Sequence, residues 1–230
     1  MNIVIPMAGR GSRFIEAAYS FPKPLIDVAG RPMIQVVTDS LNIRGRYIFL
    51  VLREHLEQYA IPDLLGRILP LDPVIVVPVD RVTEGAACTA LLAREYIDDD
   101  QPLVIANSDQ YIEWDPRRLT SRGDGAIATF HATHPKWSYV RTQYGMVTEV
   151  AEKRPISTDA TCGIYYWRRG GAFVRSADQM IAADRRVNGE FYIAPTFNEL
   201  IAEGAAIVPY PVRSMWGLGT PEDLETFLAH

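Results

Sequence analysis

Short, uninterrupted apolar runs mark the first half of the chain at Ile3–Pro6, Tyr47–Leu52, Val74–Val79 and Leu103–Ala106. Continuous rather than alternating hydrophobicity predicts strands covered on both faces, as in a parallel sheet. The amphipathic stretches between them, Met33–Leu41, Glu54–Leu65 and Ala86–Tyr96, predict helices, so strand, helix, strand repeats as βαβ units. After about Gly123 the texture changes. Strand patterns at Ala126–His131, Gly145–Val150 and Gly163–Trp167 follow without long helices between them. Helices at Phe173–Ala183 and Ala194–Ala202 and a late strand at Ile207–Val212 complete the pattern. Thr220, Pro221 and Asp223 read as an N-cap, an N1 proline and a capping-box acid opening a last helix. The expected fold is α/β: a doubly wound, mostly parallel, Rossmann-like mixed sheet in three α/β/α layers. One domain is expected over 1–230, with halves at about 1–122 and 123–230.

With 230 residues, 48% of them hydrophobic and 22% charged, the chain can bury a substantial α/β core. The net charge of −5 is spread through mixed acidic and basic residues. No Lys/Arg block supplies a footprint for nucleic acid. Cys88 and Cys162 lie far apart and match neither a disulfide framework nor a metal-ligand spacing, as expected of thiols in a reducing cytosol. The apolar start Ile3–Met7 is too short for a signal core and runs into Gly9 and Arg10, so a cytoplasmic protein without a membrane segment is expected.

Candidate chemistry begins at Gly9-Arg10-Gly11-Ser12-Arg13-Phe14, directly after the first strand. Glycines let backbone amides approach phosphate oxygens, and successive amides in such a turn form an anion-binding concavity. Phe14 replaces the third glycine of a dinucleotide fingerprint and no helical pattern is read promptly after it; no Gly-Lys-Ser/Thr closes a P-loop. Alone, the glycine pair fits an ordinary strand-to-loop turn better than a phosphate site, by about two to one. The continuation is more specific: Phe21-Pro22-Lys23-Pro24-Leu25, then Gly30-Arg31-Pro32-Met33-Ile34.

Together, Ile3–Ile34 resembles the signature of the sugar nucleotidyltransferases, or nucleoside-diphosphate-sugar pyrophosphorylases, of the short single-domain type. Their pattern is a strand, G-x-G-[ST]-R, a variable loop, P-K-x-L and G-[KR]-P-[ML]-[IL]. The resemblance continues through Glu84-Gly85-Ala86-Ala87 (a loop beside the nucleobase), Asn107-Ser108-Asp109-Gln110, Tyr144-Gly145-Met146-Val147, Glu152-Lys153, Cys162-Gly163-Ile164-Tyr165 and Gly189-Glu190-Phe191. It implies Arg13 on the triphosphate tail and Lys23 at the α-phosphate as catalytic groups. It further implies Ala8, Gly9, Gly11, Ser12, Glu84, Gly85 and Ser108 around the nucleotide, and Asp109 as the Mg²⁺ ligand. Gly145, Glu152, Lys153 and Glu190 would hold the acceptor, assigning the first half to the nucleotide and the second to the acceptor.

Three positions depart from the family pattern: Arg154 interrupts the E-K-P segment, Ala194 replaces a polar residue, and Gly217 stands where a second metal-binding aspartate is usual. The implied reaction moves a nucleoside monophosphate from an NTP to a sugar 1-phosphate, for NDP-sugar and surface-polysaccharide synthesis. A cytidylyltransferase for a phosphocholine-like acceptor, a glycosyltransferase, and a degenerate nucleotide-binding module remain open, as does a homo-oligomer. The expected partners are an NTP and a phosphorylated small molecule. His131 and His134 match no zincin spacing, and Trp114, Trp137 and Trp167 read as packing residues.

Overall fold

The apolar run at the amino terminus folds as strand β1 (Asn2–Met7), and the chain then builds outward from it on both sides. The computed structural model describes residues 1–119 and 123–230. After β1 come helix α1 (Ser12–Glu16), a small hairpin of β2 (Asp27–Val28) and β3 (Arg31–Pro32), α2 (Met33–Leu41) and β4 (Arg46–Leu52). Helices α3 (Arg53–Gln58) and α4 (Ile61–Ile68) lead to β5 (Val74–Val79), and α5 (Ala86–Leu91) and α6 (Arg94–Ile97) lead to β6 (Leu103–Ala106). The rest comprises β7 (Gln110–Glu113), β8 (Gly125–His131), β9 (Ser138–Gln143), β10 (Met146–Glu152), β11 (Asp159–Trp167), α7 (Gly170–Ala182), α8 (Phe197–Ala202), β12 (Ile207–Pro211), β13 (Ser214–Gly217) and α9 (Pro221–Leu228).

The main sheet runs β10-β9-β11-β6-β1-β4-β5, with β8 pairing β11 and β12. Strands β6, β1, β4 and β5 are mutually parallel, while β11 is antiparallel to β6 and starts the mixed half. Side chains alternate across the sheet. Val4, Ile48, Leu50 and Ile105 pack with Ala87, Ala90, Phe173 and Leu200 from α5, α7 and α8. On the other face Ile3, Ile5, Phe49 and Val51 pack with Ile34 and Leu41 of α2 and Ile61 and Leu65 of α4. Burial on both faces is why these strands read as continuous apolar runs, and the result is the expected α/β/α layering.

From β1 the chain moves to β4 and β5 on one side and then returns to β6 on the other. The strand order therefore reverses at β1/β6. A crevice opens there beyond the carboxyl ends of the strands, the usual ligand position in such sheets.

The elements differ from the sequence expectation in several places. The single helix expected at Glu54–Leu65 is broken into α3 and α4, because Pro62 lies in the first turn of α4 and cannot extend α3. The stretch Ala86–Tyr96 likewise divides at Leu92 and Ala93. A short helix, α1, does follow the glycine turn, contrary to the expectation at Phe14 and its surroundings. Strands β7, β9 and β13 were not anticipated. The division at 122/123 abuts residues 120–122, which lie outside the described residues.

Candidate active site

The loop after β1 is shaped by Gly11, whose φ of +65° places it in the left-handed region at the N-cap of α1. A Cβ there would sit 3.1 Å from the Cβ of Lys23, so glycine lets the loop lie directly against the lysine. Lys23 begins a 3-10 turn through Leu25, fixed by Pro22 and Pro24 and closed by Leu25 N–H donating to the Pro22 carbonyl at 2.8 Å. Its ammonium donates to Asp109 Oδ2 at 2.6 Å, with each side chain only about one-fifth exposed. Asp109 lies just beyond β6 and is held from behind by Leu218 N–H, which donates to its carbonyl at 2.7 Å.

These groups line one side of a cavity of about 400 Å³ in the crevice at β1/β6. Ala8, Gly9, Gly11, Ser12, Gly85, Ser108, Lys23 and Asp109 all border it. At Gly85 the backbone approaches Phe191 so closely that a Cβ would lie 2.3 Å from the Phe191 carbonyl oxygen. Thr83 and Thr89 hydroxyls, 2.6 Å apart, complete that wall.

A second cavity of about 570 Å³ adjoins the first and shares Ala86, Asn107 and Asp109 with it. Its walls come from the mixed half of the sheet: Lys136, Trp137 and Ser138 entering β9, Glu152 and Lys153 leaving β10, and Thr161 and Tyr165 of β11. Lys153 has φ +53°, uncommon for a side chain with a Cβ, and its N–H donates to the Trp137 carbonyl at 3.0 Å. Its ammonium lies 4.7 Å above the Tyr192 ring; that of Lys136 lies 4.7 Å above Trp137 and pairs with Asp223 at 2.8 Å.

Glu152 is mostly buried and accepts a hydrogen bond from the Ser138 hydroxyl. Burial pushes its carboxyl above the ordinary carboxylate range, against the opposing pull of Ser138 and Lys153. A carboxyl whose folded-state pKa is raised contributes stability fully below its unfolded value, and that contribution is lost as pH rises through the folded value. Glu152→Gln keeps the neutral shape. Its Tm relative to wild type is therefore expected to rise as pH increases above about 4, the ordinary carboxylate value. A constant Tm difference in calorimetry over that rise in pH would contradict it.

The expected site residues do not all fall where the sequence put them. Glu84 borders neither cavity; it turns outward to the Arg186 guanidinium, 102 residues further along the chain. Glu190, expected at the acceptor, borders the first cavity instead. Arg13, expected on the triphosphate side, borders the second cavity from exposed α1. Gly145 borders neither, because it sits in the turn joining β9 and β10. Seven residues of extended strand separate it from Glu152, roughly 20 Å at the rise of a β-strand. Trp137, read as packing, is a cavity wall. Lys136, Ser138, Gln110, Tyr192 and Asp223 line the second cavity without having been assigned to the site, although Gln110 stands in the quoted Asn107–Gln110 motif, Tyr192 directly follows Gly189-Glu190-Phe191, and Asp223 was read only as a capping acid. A larger depression of about 860 Å³ lies at the opposite ends of the strands, lined by Asp98, Asp124 and Arg168, and contains none of these groups.

The sequence profile of the nucleotidyl transferase family matches residues 3–228. The chain is 25% identical to the low-salt glycan biosynthesis nucleotidyltransferase Agl11 of Haloferax volcanii, over 97% of this chain and 64% of that protein. It thus spans just under two-thirds of that relative. The UTP–glucose-1-phosphate uridylyltransferase AglF of the same organism is 26% identical over 97% of this chain and 93% of its own length. In structure the chain resembles a nucleoside-diphosphate-sugar pyrophosphorylase from Vibrio cholerae, with a TM-score of 0.89 at 24% identity over 99% and 100% of the two chains. It also resembles the inositol-1-phosphate CTP transferase of T. maritima, with a TM-score of 0.74 at 13% identity over 100% and 96%. A whole-length profile match, on a fold shared with pyrophosphorylases and a crevice built on the glycine loop, makes this chain a member of the nucleotidyl transferase family.

Proposed function

We propose that the protein transfers a nucleoside monophosphate from an NTP to a sugar 1-phosphate, releasing pyrophosphate and forming an NDP-sugar in the cytoplasm. The observation that carries this reading is the junction of the two cavities at Asp109, Asn107 and Ala86, with Lys23 beside it. One cavity suits a nucleotide against the glycine loop, the other a phosphorylated acceptor, and they meet where a phosphorus atom would have to change partners.

In the reaction an acceptor phosphate oxygen attacks the α-phosphorus, the α–β anhydride bond breaks, and pyrophosphate leaves carrying the electron pair. The acceptor is already anionic at neutral pH, so no nucleophile–base pair is required. Catalysis is then positioning and charge neutralisation. In this reading the Gly9–Gly11 amides hold phosphate oxygens, Lys23 faces the α-phosphate, Arg13 reaches the phosphates from the wall of the second cavity, and Lys153 orients the acceptor phosphate.

Among the described residues no three His, Cys, Asp or Glu side chains converge into a cation cage. A single carboxylate at a strand end nevertheless fits Mg²⁺, which binds through one or two carboxylates and otherwise takes phosphate oxygens and water. Asp109 would hold it, and the ion would supply charge neutralisation at the transferring phosphate.

The acceptor side favours a sugar over a phosphocholine-like group. A quaternary ammonium is recognised by open aromatic faces, but Trp137 and Tyr192 on this wall already carry the lysine ammoniums at 4.7 Å. The remaining wall offers Glu152, Ser138, Thr161 and Tyr165, which are hydroxyl partners. The glycan role in the name of the Haloferax relative fits an NDP-sugar destined for surface polysaccharide.

A matrix of NTPs against glucose 1-phosphate, galactose 1-phosphate and phosphocholine tests the proposal. Pyrophosphate is expected only when an NTP and a sugar 1-phosphate are present together. NDP release from an NDP-sugar without NTP would replace the proposal with glycosyl transfer.

Gly217 bears on the same chemistry. A Cβ there would lie 3.3 Å from Trp137 Cη2 and 3.4 Å from Asp223 Oδ2, so a neighbouring carboxylate already occupies that side. Gly217→Asp would set a like charge against Asp223 and crowd the indole. Turnover is expected to stay level or fall by up to about tenfold, the equivalent of about 1.4 kcal/mol in the barrier. A rise in pyrophosphate release from an inactive wild type would instead reveal a decayed enzyme.

A further inference from the structure

Glu84 lies outside both cavities, yet its carboxylate anchors the segment that joins them. Arg186 Nη1 donates to Glu84 Oε2 at 2.5 Å and to the Gly189 carbonyl at 3.2 Å, while its Nε donates to Asp184. The guanidinium carbon lies 4.1 Å from the centre of the Phe191 ring, which is 1% exposed. Arginine suits this place, because its planar fork stacks on a ring and still donates from its edges in several directions. The contact links the loop entering α5 to the chain beyond α7.

The segment so held is short and closely built. Asn188 and Gly189, with φ +49° and +81°, form a two-residue turn closed by paired hydrogen bonds of 3.0 Å between Val187 and Glu190. Phe191 then grips the nucleotide wall through its backbone. Its N–H donates to the Glu84 carbonyl at 2.8 Å, and its carbonyl accepts from Ala87 N–H at 3.0 Å. On either side of Phe191 the chain serves different cavities: Glu190 borders the first, and Tyr192, Ile193 and Ala194 border the second. Tyr192 also accepts a hydrogen bond from the Lys153 ammonium. A shift of this segment therefore moves a wall of each cavity at once.

Backbone bonds gathered at one residue fix a point about which a chain can still pivot. The Glu84–Arg186 pair adds a second attachment through side chains. With side chains 68% and 33% exposed, it contributes little to folding. Its geometry matters more than its energy, since small misplacements of a wall are costly to a reaction that depends on positioning.

We propose that Arg186 is a positioning residue: with Glu84 it holds Val187–Ala194 so that the nucleotide wall at Gly85 and the acceptor wall at Tyr192 keep one fixed relation. This rests on the nucleotidyl transfer proposed above, in which the two cavities take the two substrates.

The test uses Glu84→Gln and Arg186→Gln, singly and together. Pyrophosphate release gives kcat and the KM values for NTP and sugar 1-phosphate, and calorimetry gives Tm. The Glu84 side chain stands on the nucleotide side, outside the acceptor cavity. Glu84→Gln is nevertheless expected to raise the acceptor's KM as well as that of the NTP, each by about fivefold, within the range of coupling between contacting groups. Arg186→Gln should raise both at least as much, with kcat at saturation falling less because bound substrates restore the arrangement. The double variant should match Arg186→Gln, since the Glu84 carboxylate acts through the guanidinium. Arg186→Lys should not rescue, because one ammonium cannot reach Glu84 and Gly189 while lying flat on Phe191. Tm should stay within a few degrees of wild type, whereas a merely structural pair would lower Tm and leave both KM values alone. Glu84→Gln decides the matter even if Arg186→Gln fails to fold. An effect of Glu84→Gln confined to the NTP, or no effect on either KM, would overturn the assignment and leave the proposed reaction intact. Absence of pyrophosphate from wild type with both glucose 1-phosphate and galactose 1-phosphate would overturn the reaction and the assignment together.

Discussion

Lys23→Ala should lower turnover by at least about a hundredfold, the cost of removing one preorganised charge-stabilising donor. The lysine is rigidly placed for that role. Prolines on both sides fix its turn, Gly11 closes against its Cβ, and its ammonium reaches Asp109 at 2.6 Å. Lys23→Arg should not restore the rate, because a planar guanidinium cannot replace a compact ammonium in a slot closed by the Gly11 loop. The measurement is kcat from pyrophosphate release at saturating NTP and acceptor, with Tm recorded beside it. The ion pair is partly solvated, so its loss should move Tm by only a few degrees. A purified Lys23→Ala protein with wild-type kcat would remove the residue from the mechanism.

The strands of both halves that carry an apolar run were legible in the sequence, most plainly those buried on both faces. Strands β1, β4 and β6 carry runs of residues with essentially no exposure, and apolar runs this short fit a covered strand better than a buried helix. Strand β9 escaped because only its first half is buried; Arg141, Thr142 and Gln143 are exposed, so no apolar run forms. That omission moved a site residue. With β9 unseen, Tyr144-Gly145 read as part of a strand against the acceptor, whereas it is the turn at the far end of the β9–β10 hairpin. The glycine loop and Asp109 could be placed because each directly follows a strand with a continuous apolar run, and Lys23 because it stands in the Phe21–Leu25 motif. Glu84 could not, since its partner Arg186 is brought to it only by the tertiary fold. The acceptor wall was the least visible part. Lys136, Trp137 and Tyr192 meet there from separate segments, and no spacing in the sequence records that convergence.

Asp109→Asn should be as damaging as loss of Lys23, for a complementary reason. The substitution keeps the shape of the side chain and removes its charge, so Lys23 loses its ion-pair partner and the crevice gains net positive charge. Exposed pairs are worth about 0–1 kcal/mol and breaking fully buried ones costs about 3–5 kcal/mol. With side chains 21% and 23% exposed, this pair lies between those limits, so folding should survive. Activity should not: among the described residues the carboxylate is the one acidic group at the cavity junction, suited to a hard cation beside the phosphates. Turnover is expected to fall by at least about a hundredfold at ordinary Mg²⁺ concentrations. Wild type treated with chelator should lose its rate and regain it with Mg²⁺. A chelated wild type that keeps its rate would remove the metal role and leave Asp109 as a positioner of Lys23 alone. The double variant separates these cases further. If the carboxylate acts only by holding the ammonium, Lys23→Ala combined with Asp109→Asn should be no slower than Lys23→Ala by itself. If Asp109 also serves the phosphates through a cation, the double variant should be slower than either single one, and that is the expected result.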